Sequence, residues 1–469
     1  MTHMWLLLLF FLLSTDARAC KKKKFILAAQ PTPAQLSWLE QSDIGFLIHY
    51  NIASYLPIAY DGCNRDPSLV PDINLFNPSI LNTDNWVQTF EDVGAKYAVL
   101  VAKHNCGFTT WPTQVQFQLT SGETIPYNYS ISYSPKTETD LVGNFIRSCQ
   151  KAGIKTGFYY SVVWNNWLNV QDSRVQPEPL APGQMPIDQQ TYESIVLKQL
   201  EELWTNYGQL LEIWFDGGYS QSLKNPISTL LEKYQSNASV FGGFGITNNS
   251  IRNIGNEFGF AREDTWLTVN ADGQEDADGS YFSPPECPTT LQVSDRWFYG
   301  SDRFPIRPIN ELIDVYHTSV GRNCKLMLDL AVNRDGVVDA RHASRYKELG
   351  DFIRNCYGTA LKSNLTCSTD NCILQFSSTE LVDRVVIRED LRSSTGASIR
   401  QWSIDGLMMW GDCMNCWIEI PSAKGRSVGS KRIVLFGEAV LVQAIRLNIY
   451  KAVGDRSSLA QFDAYLCQQ

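Results

Sequence analysis

The chain has 469 residues, a formal net charge of −9, a pI near 5.2, 44% hydrophobic residues and 12% aromatic residues. That length and apolar content provide for two or three domains with a large core and exclude a disordered chain. The acidic balance argues against a general nucleic-acid binder. The 13 Trp and 20 Tyr can fill a core, and they also offer flat faces that stack on sugar rings.

The chain opens with "MTHMWLLLLFFLLSTDARAC". Its apolar run, Trp5 to Leu13, is too short to span a bilayer and fits the core of a signal peptide. Ala17 and Ala19 form a small-x-small cleavage site, so residues 1–19 are expected to be removed and the mature protein to be secreted or lysosomal/lumenal. No later apolar run is long enough for a membrane span. Lys21 to Lys24 read as a solvated arm. Sequons at Asn128, Asn237, Asn248 and Asn364 fit the secretory route. In that compartment most of the 12 Cys should be paired. Cys367 and Cys372 can close a tight loop. Cys413 and Cys416 form C-x-x-C without the second ligand pair that zinc needs, so a disulfide is expected there.

From about residue 40 to 345, strand-like and helical stretches alternate. "IGFLIHYNI" (Ile44 to Ile52) is a first strand and "DNWVQTFEDVGA" (Asp84 to Ala95) a helix with an Asp cap. "YAVLVAKH" (Tyr97 to His104) is a second strand, and a helix follows over Thr139 to Gly153. "KTGFYYSVV" (Lys155 to Val163) is a third strand, followed by a long helix over Asp188 to Tyr207. "LLEIWFD" (Leu210 to Asp216) is a fourth. Short strands separated by helices indicate an α/β fold. Their number suits a (β/α)8-like barrel over residues 20–345 better than an open sheet, although the later units are blurred. No Gly-rich phosphate loop follows any strand. Beyond residue 345 the texture becomes short strands with turns, as in "LVDRVVIREDL" and "VQAIRLNIYKA". An all-β sandwich is expected over 346–469.

In a barrel, active-site groups lie where strands end. Those ends offer His49, then Lys103 and His104, then Tyr159, Tyr160 and Trp164, then Trp214 and Asp216. Together they supply hydrogen bonds for hydroxyls, an aromatic wall and a carboxylate, a combination suited to a sugar. Asp216 ends an apolar strand at two glycines, where it could equally serve as an ion-pair or cap residue. Glycoside hydrolysis ordinarily needs a second carboxyl group. Glu257 in "GNEFG", Glu263 and Glu286 in "SPPECP" are the candidates.

These residues resemble glycoside hydrolase family 29, the α-L-fucosidases. "FLIHYNIASYLP" is similar to the family's F-x-I-H-W-G-x-x-S-x-P, and "YAVLVAKHNCGFTTWPT" to its Y-A-x-L-T-A-K-H-H-D-G-F-x-x-W-P. "GFYYSVVWNNW" and "IWFDGG" match two further strands, the second being the nucleophile strand and the most specific element. "IRNIGNEFGFAREDTW" resembles the subfamily acting on branched α-1,3 and α-1,4 fucose. "VGRNCKLMLDLAVNRDGVV" resembles the family's S-V-G-x-N-x-x-L-L-L-N-x-P-P-x-x-x-G, and the trailing strands its galactose-binding-like sandwich. The resemblance covers nearly the whole mature chain, in order.

It implies a retaining exo-α-L-fucosidase acting on fucosylated oligosaccharides or glycoproteins, with no cofactor and no metal. Asp216 would be the nucleophile and Glu257 the acid/base, with Glu286 as the alternative. His49, His104, Asn105, Tyr160, Trp214 and Arg252 would bind the sugar. The acid should titrate high and the nucleophile normally or low. Two departures stand out: the family's K-H-H-D-G-F is "KHNCGF" here, with Asn105 for a His and Cys106 for an Asp. They motivate two other readings, a fucose-binding lectin-like homologue and a glycosidase for another sugar. Homo-oligomerisation is left open.

Overall fold

A computed structural model describes residues 29–56, 62–394, 396–410, 413–454 and 458–467. The expected signal peptide, Cys20 and the lysine run lie outside the described residues. Eight parallel strands close into a barrel: β1 (Ile44–His49), β2 (Tyr97–Lys103), β3 (Lys155–Tyr160), β4 (Glu212–Trp214), β5 (Ser239–Phe241), β6 (Ser250–Asn253), β7 (Pro285–Thr289) and β8 (Lys325–Ala331). Each pairs with its sequence neighbours, and β8 closes on β1 with Leu47 opposite Asp329.

Both faces of these strands are buried, which explains their nearly continuous apolar runs. Alternate side chains divide two cores. Leu47, Val99, Tyr159, Trp214, Phe241, Ile251 and Met327 fill the barrel. Phe46, Ile48, Leu100, Phe158, Tyr160, Ile213 and Leu328 face the surrounding helices.

Besides a single turn at Gly62–Arg65, the α-helices among the described residues are α1 (Pro33–Gln41), α2 (Thr83–Val93), α3 (Leu141–Lys151), α4 (Gln189–Asn206), α5 (Lys224–Tyr234), α6 (Ile309–Ser319) and α7 (Ala340–Tyr357). Five of these seven starts carry side-chain caps, among them Asp140, which accepts from Gly143 N at 2.8 Å, and Asp188, which accepts from Thr191 N at 2.7 Å. The cap of α2 is Asn82, and the expected cap, Asp84, lies in the first turn, where its charge favours the helix dipole. No helix separates β5 from β6 or β6 from β7, and for this reason the repeating pattern blurs there in the sequence. Among the described residues no helix is long and apolar enough to cross a membrane.

The last helix, α7, runs through residue 345, where the sequence pattern changes, and packs on α2 and α6. The sandwich follows: β9 (Ser363–Cys367), β10 (Asn371–Glu389), β11 (Ile399–Trp410), β12 (Cys413–Gly425), β13 (Arg432–Ala452) and β14 (Leu459–Tyr465), all antiparallel. Register shifts in the long β10 and β13 bend the ladder around a core that includes Val385, Trp402, Ile404, Val442, Leu447 and Phe462. Charged contacts fix the sandwich to the barrel: Asp43 pairs with Arg388 at 2.7 Å and Lys431 at 2.6 Å, and Arg432 pairs with Glu263.

Both expected cysteine pairs form, Cys367–Cys372 and Cys413–Cys416. Cys287–Cys324 ties β7 to the turn before β8, and Cys356–Cys467 ties α7 to the segment just past the last strand. Cys63–Cys106 joins the loops that follow β1 and β2. Cys149 is buried and unpaired.

Candidate active site

The C-terminal ends of the strands surround a cavity of about 160 Å³, small beside the usual 300–1,000 Å³ of ligand sites and suited to one sugar ring. Its floor is aromatic. Trp214 stacks on Phe241 with centroids 3.6 Å apart and on Tyr159 at 5.5 Å; Tyr159 in turn stacks on His104 at 5.5 Å. Tyr159, Trp214 and Phe241 come from inward-facing positions of β3, β4 and β5, and His104 follows the end of β2.

Asp216 follows β4. Leu210 to Phe215 are all buried, so the strand is held rigidly and its last polar residue is delivered at a fixed place. Gly217 (φ 68°) turns the chain away; a Cβ there would meet Val163 at 2.9 Å. Asp216 Oδ2 accepts from the Tyr159 hydroxyl at 3.0 Å, and the carboxylate also accepts from the Gly217 backbone N–H. The carboxylate is open to the cavity but crowded by protein elsewhere. Burial raises its pKa, and those two hydrogen bonds oppose the rise.

Glu257 sits on the loop after β6. Asn256 shapes this loop: its side-chain oxygen accepts from Phe258 N at 3.1 Å and Phe260 N at 3.3 Å, and its amide donates to Phe260 O at 2.8 Å. Glu257 Oε2 accepts from Trp297 Nε1 at 3.1 Å. Its pKa is raised by burial and by the negative charges of Asp216 and Asp295, against the Trp297 bond. Both carboxyl groups therefore titrate high, in contrast to the expected split. Only Glu257 is pushed further up by neighbouring carboxylates.

His49 and His104 line the cavity with their rings edge to face at 5.8 Å. His49 Nδ1 is hydrogen-bonded to Asp329 Oδ1 at 2.8 Å, fixing the ring. Burial holds both histidines neutral; His104 is lowered to about 3, with help from the charge of Lys103. Asn64, Asn105, Trp164, Asn253 and Trp297 also line the cavity, with Leu47, Val163 and Pro288 between them.

Of the residues singled out in the sequence, the structure thus brings together His49, His104, Asn105, Tyr159, Trp164, Trp214, Asp216 and Glu257. It places five others elsewhere. Lys103 is fully buried, its Nζ donating to Ser161 O at 2.5 Å. Tyr160 faces outward, and its hydroxyl donates to Gln199 Oε1 on α4 at 2.6 Å; by strand alternation the inward tyrosine is Tyr159. Arg252 is likewise one residue out of phase with Asn253. It pairs with Glu275 and donates to Trp266 O at 2.8 Å. Glu263 pairs with Arg322 and Arg432 beside the sandwich. Glu286 is fully buried inside the barrel beneath Trp214, whose Nε1 donates to it at 2.9 Å.

Tyr97 donates to the other Glu286 oxygen at 3.1 Å, and Glu212 shares a hydrogen bond with Glu286 while accepting from Trp38 Nε1 at 2.7 Å. Burial pushes Glu286 up to about 7, partly opposed by those bonds. Asn64, Asn253, Trp297 and Asp329 were not singled out in the sequence. Asn253 ends a four-residue strand, and Trp297 follows a strand whose flanking helix pattern is missing, so neither carried a strong signal.

Residues 72–358 match the profile of a family described as Alpha-L-fucosidase. The chain belongs to the alpha-L-fucosidase family. Alpha-L-fucosidase 1 of Arabidopsis thaliana is 25% identical over 349 residues, covering 71% of this chain and 62% of the relative. An alpha-L-fucosidase 1 named in rice is 24% identical over 382 residues, covering 77% and 66%. The chain thus spans a little under two thirds of the length of these curated relatives. A solved protein of Bacteroides thetaiotaomicron with a provisional alpha-L-fucosidase name superposes with a TM-score of 0.80 at 29% identity, covering 94% of this chain and all of that one. Against the fucosidase motif K-H-H-D-G-F, the two departures have structural roles here. Cys106 forms the disulfide to Cys63. Asn105 Nδ2 donates to Asn64 Oδ1 at 3.2 Å and its Oδ1 accepts from Ser161 at 2.9 Å.

Proposed function

We propose that the protein is an exo-acting, retaining α-L-fucosidase that removes terminal α-linked fucose, of the α-1,3/1,4 type, from oligosaccharides or glycoproteins in a secreted or lysosomal setting. The observation that carries this reading is the pairing of Asp216 with Glu257 on one sugar-sized cavity, close enough that the charge of one raises the pKa of the other. Asp216 attacks the anomeric carbon and displaces the aglycone as Glu257 protonates the departing oxygen. Glu257 then takes a proton from water, which releases fucose from the covalent intermediate. Trp214 and Tyr159 provide an apolar wall for the ring, and His49, His104 and Asn105 bond its hydroxyls. The linkage rests on the likeness of "IRNIGNEFGFAREDTW" to the branched-fucose subfamily.

The test is fucose release from α-1,2, α-1,3, α-1,4 and α-1,6 fucosylated oligosaccharides, with Asp216→Ala as control. Asp216-dependent release from the α-1,3 and α-1,4 substrates supports the reading. Folded protein that binds fucose but releases none would instead favour the lectin-like alternative.

A further inference from the structure

One wall of the cavity is built by a segment outside every motif quoted above. Asn64 lines the cavity next to Asn105. Its neighbour Cys63 is bonded to Cys106, with Cα atoms 5.1 Å apart. The segment that follows is fastened from beneath: Asn166 Nδ2 donates to the carbonyls of Cys63 at 2.8 Å, Asp66 at 3.0 Å and Leu69 at 3.0 Å. Gln184 Nε2 donates to Pro67 O at 3.1 Å. A buried amide spent on three carbonyls of one loop, together with a disulfide, is a costly way to hold an exposed residue unless its position matters.

The hydrogen-bond inventory of the wall points the same way. Asn105 has given its oxygen to Ser161 and one N–H to Asn64. Asn64 accepts that bond through Oδ1, and both N–H groups of its Nδ2 are without a partner among the described residues. We infer that Asn64 is a sugar-binding residue, donating from Nδ2 to a hydroxyl of the bound fucose and held in place by the Cys63–Cys106 disulfide. This rests on the fucosidase reading above. It also accounts for the paired departures in "KHNCGF": the cysteine anchors a second amide beside the asparagine that stands where the family has histidine.

Binding of fucose and of its 2-, 3- and 4-deoxy analogues would be measured as competitive inhibition of the full-length wild type, Asn64→Ala and Cys63→Ser/Cys106→Ser. Asn64→Ala should weaken fucose about tenfold, the worth of one hydrogen bond, and raise KM more than it lowers kcat. The loss should vanish for the one deoxy analogue that lacks the contacted hydroxyl. The double serine variant should show the same analogue pattern, since it frees the residue's mooring. Unchanged affinity in Asn64→Ala, or an equal loss for fucose and all three analogues, overturns a direct contact. Wild-type affinity in the double serine variant overturns the role of the disulfide. The fucosidase reading has its own control: wild type that releases and binds no fucose overturns both, whereas Asp216-dependent turnover with an indifferent Asn64→Ala overturns this inference alone.

Discussion

The segment "LLEIWFDGG" carries two carboxylates four residues apart that have opposite fates. Glu212 points into the sealed barrel, pairs with Glu286 and is capped by Trp38. Asp216 emerges past the strand end, faces Glu257 across a cavity and is open to solvent. Both pairs consist of acids whose pKa values are raised by burial. They differ in access. The inner pair has no room for a substrate and holds Trp214 from below, so its protons serve packing. The outer pair has room for a sugar ring, so its protons can be exchanged with a substrate. A perturbed carboxylate is therefore a candidate for chemistry only where a reacting atom can reach it.

The largest effect expected from this contrast is at Asp216. Asp216→Ala should cut turnover on the order of 10⁴-fold. It should leave the melting temperature nearly unchanged, because Asp216 is exposed beyond the strand end and gives the fold only its bonds to Tyr159 and Gly217. Glu257→Gln should slow substrates with poor leaving groups by about 10²–10⁴-fold and activated aryl fucosides far less. The proposed mechanism needs Asp216 ionised and Glu257 protonated, so the pH–rate profile of wild type should be bell-shaped. Its alkaline limb should lie above the ordinary 4.5 of a glutamate and be lost in Glu257→Gln.

Glu286→Gln, in contrast, should leave turnover within about tenfold and show its effect in denaturant titrations. A glutamine has one acceptor oxygen for Tyr97 and Trp214, so the variant should lose about 1–3 kcal/mol. The pH dependence has a defined sign. With its folded pKa raised to about 7, Glu286 contributes stability that is fully present below about 4.5 and is lost as pH rises through about 7. The deficit of Glu286→Gln should therefore be largest at pH 5 and shrink by pH 8. If Glu286→Gln lost turnover as Glu257→Gln does, the division between inner and outer pair would fail.

The smallest effect concerns the histidines. His104 and His342 are lowered to about 3 and about 4 by burial, so the unfolded chain takes up protons that the folded protein excludes. Their contribution is present above about 6.5 and is lost as pH falls toward 3–4. Acidification from pH 7 to pH 4 should accordingly shift the melting-temperature difference between wild type and His342→Gln against wild type.

The first half of the barrel was legible because β1 to β4 are continuous apolar runs separated by capped helices. The region from β5 to β7 was not, because its strands have three to five residues and no helices lie between them. Asp216 was visible as an acid ending a buried strand. Adjacent candidates on one strand were harder to separate. Tyr159 and Tyr160 look alike in sequence, as do the polar neighbours Arg252 and Asn253, and only the phase of the pleat decides which enters the cavity. Glu286 looked like Glu257 because burial inside a barrel leaves no local mark. Cys106 read as a departure from the motif because its partner lies 43 residues away.

The most direct test of the central claim is to treat the protein with an activated 2-fluorofucoside, whose glycosyl-enzyme breaks down slowly, and to map the label by tandem mass spectrometry. The account predicts one fucosyl unit on Asp216 and none on Glu212, although both fall in the same peptide. A label on Glu212 or Glu286, or full turnover with no trapped intermediate, would contradict it.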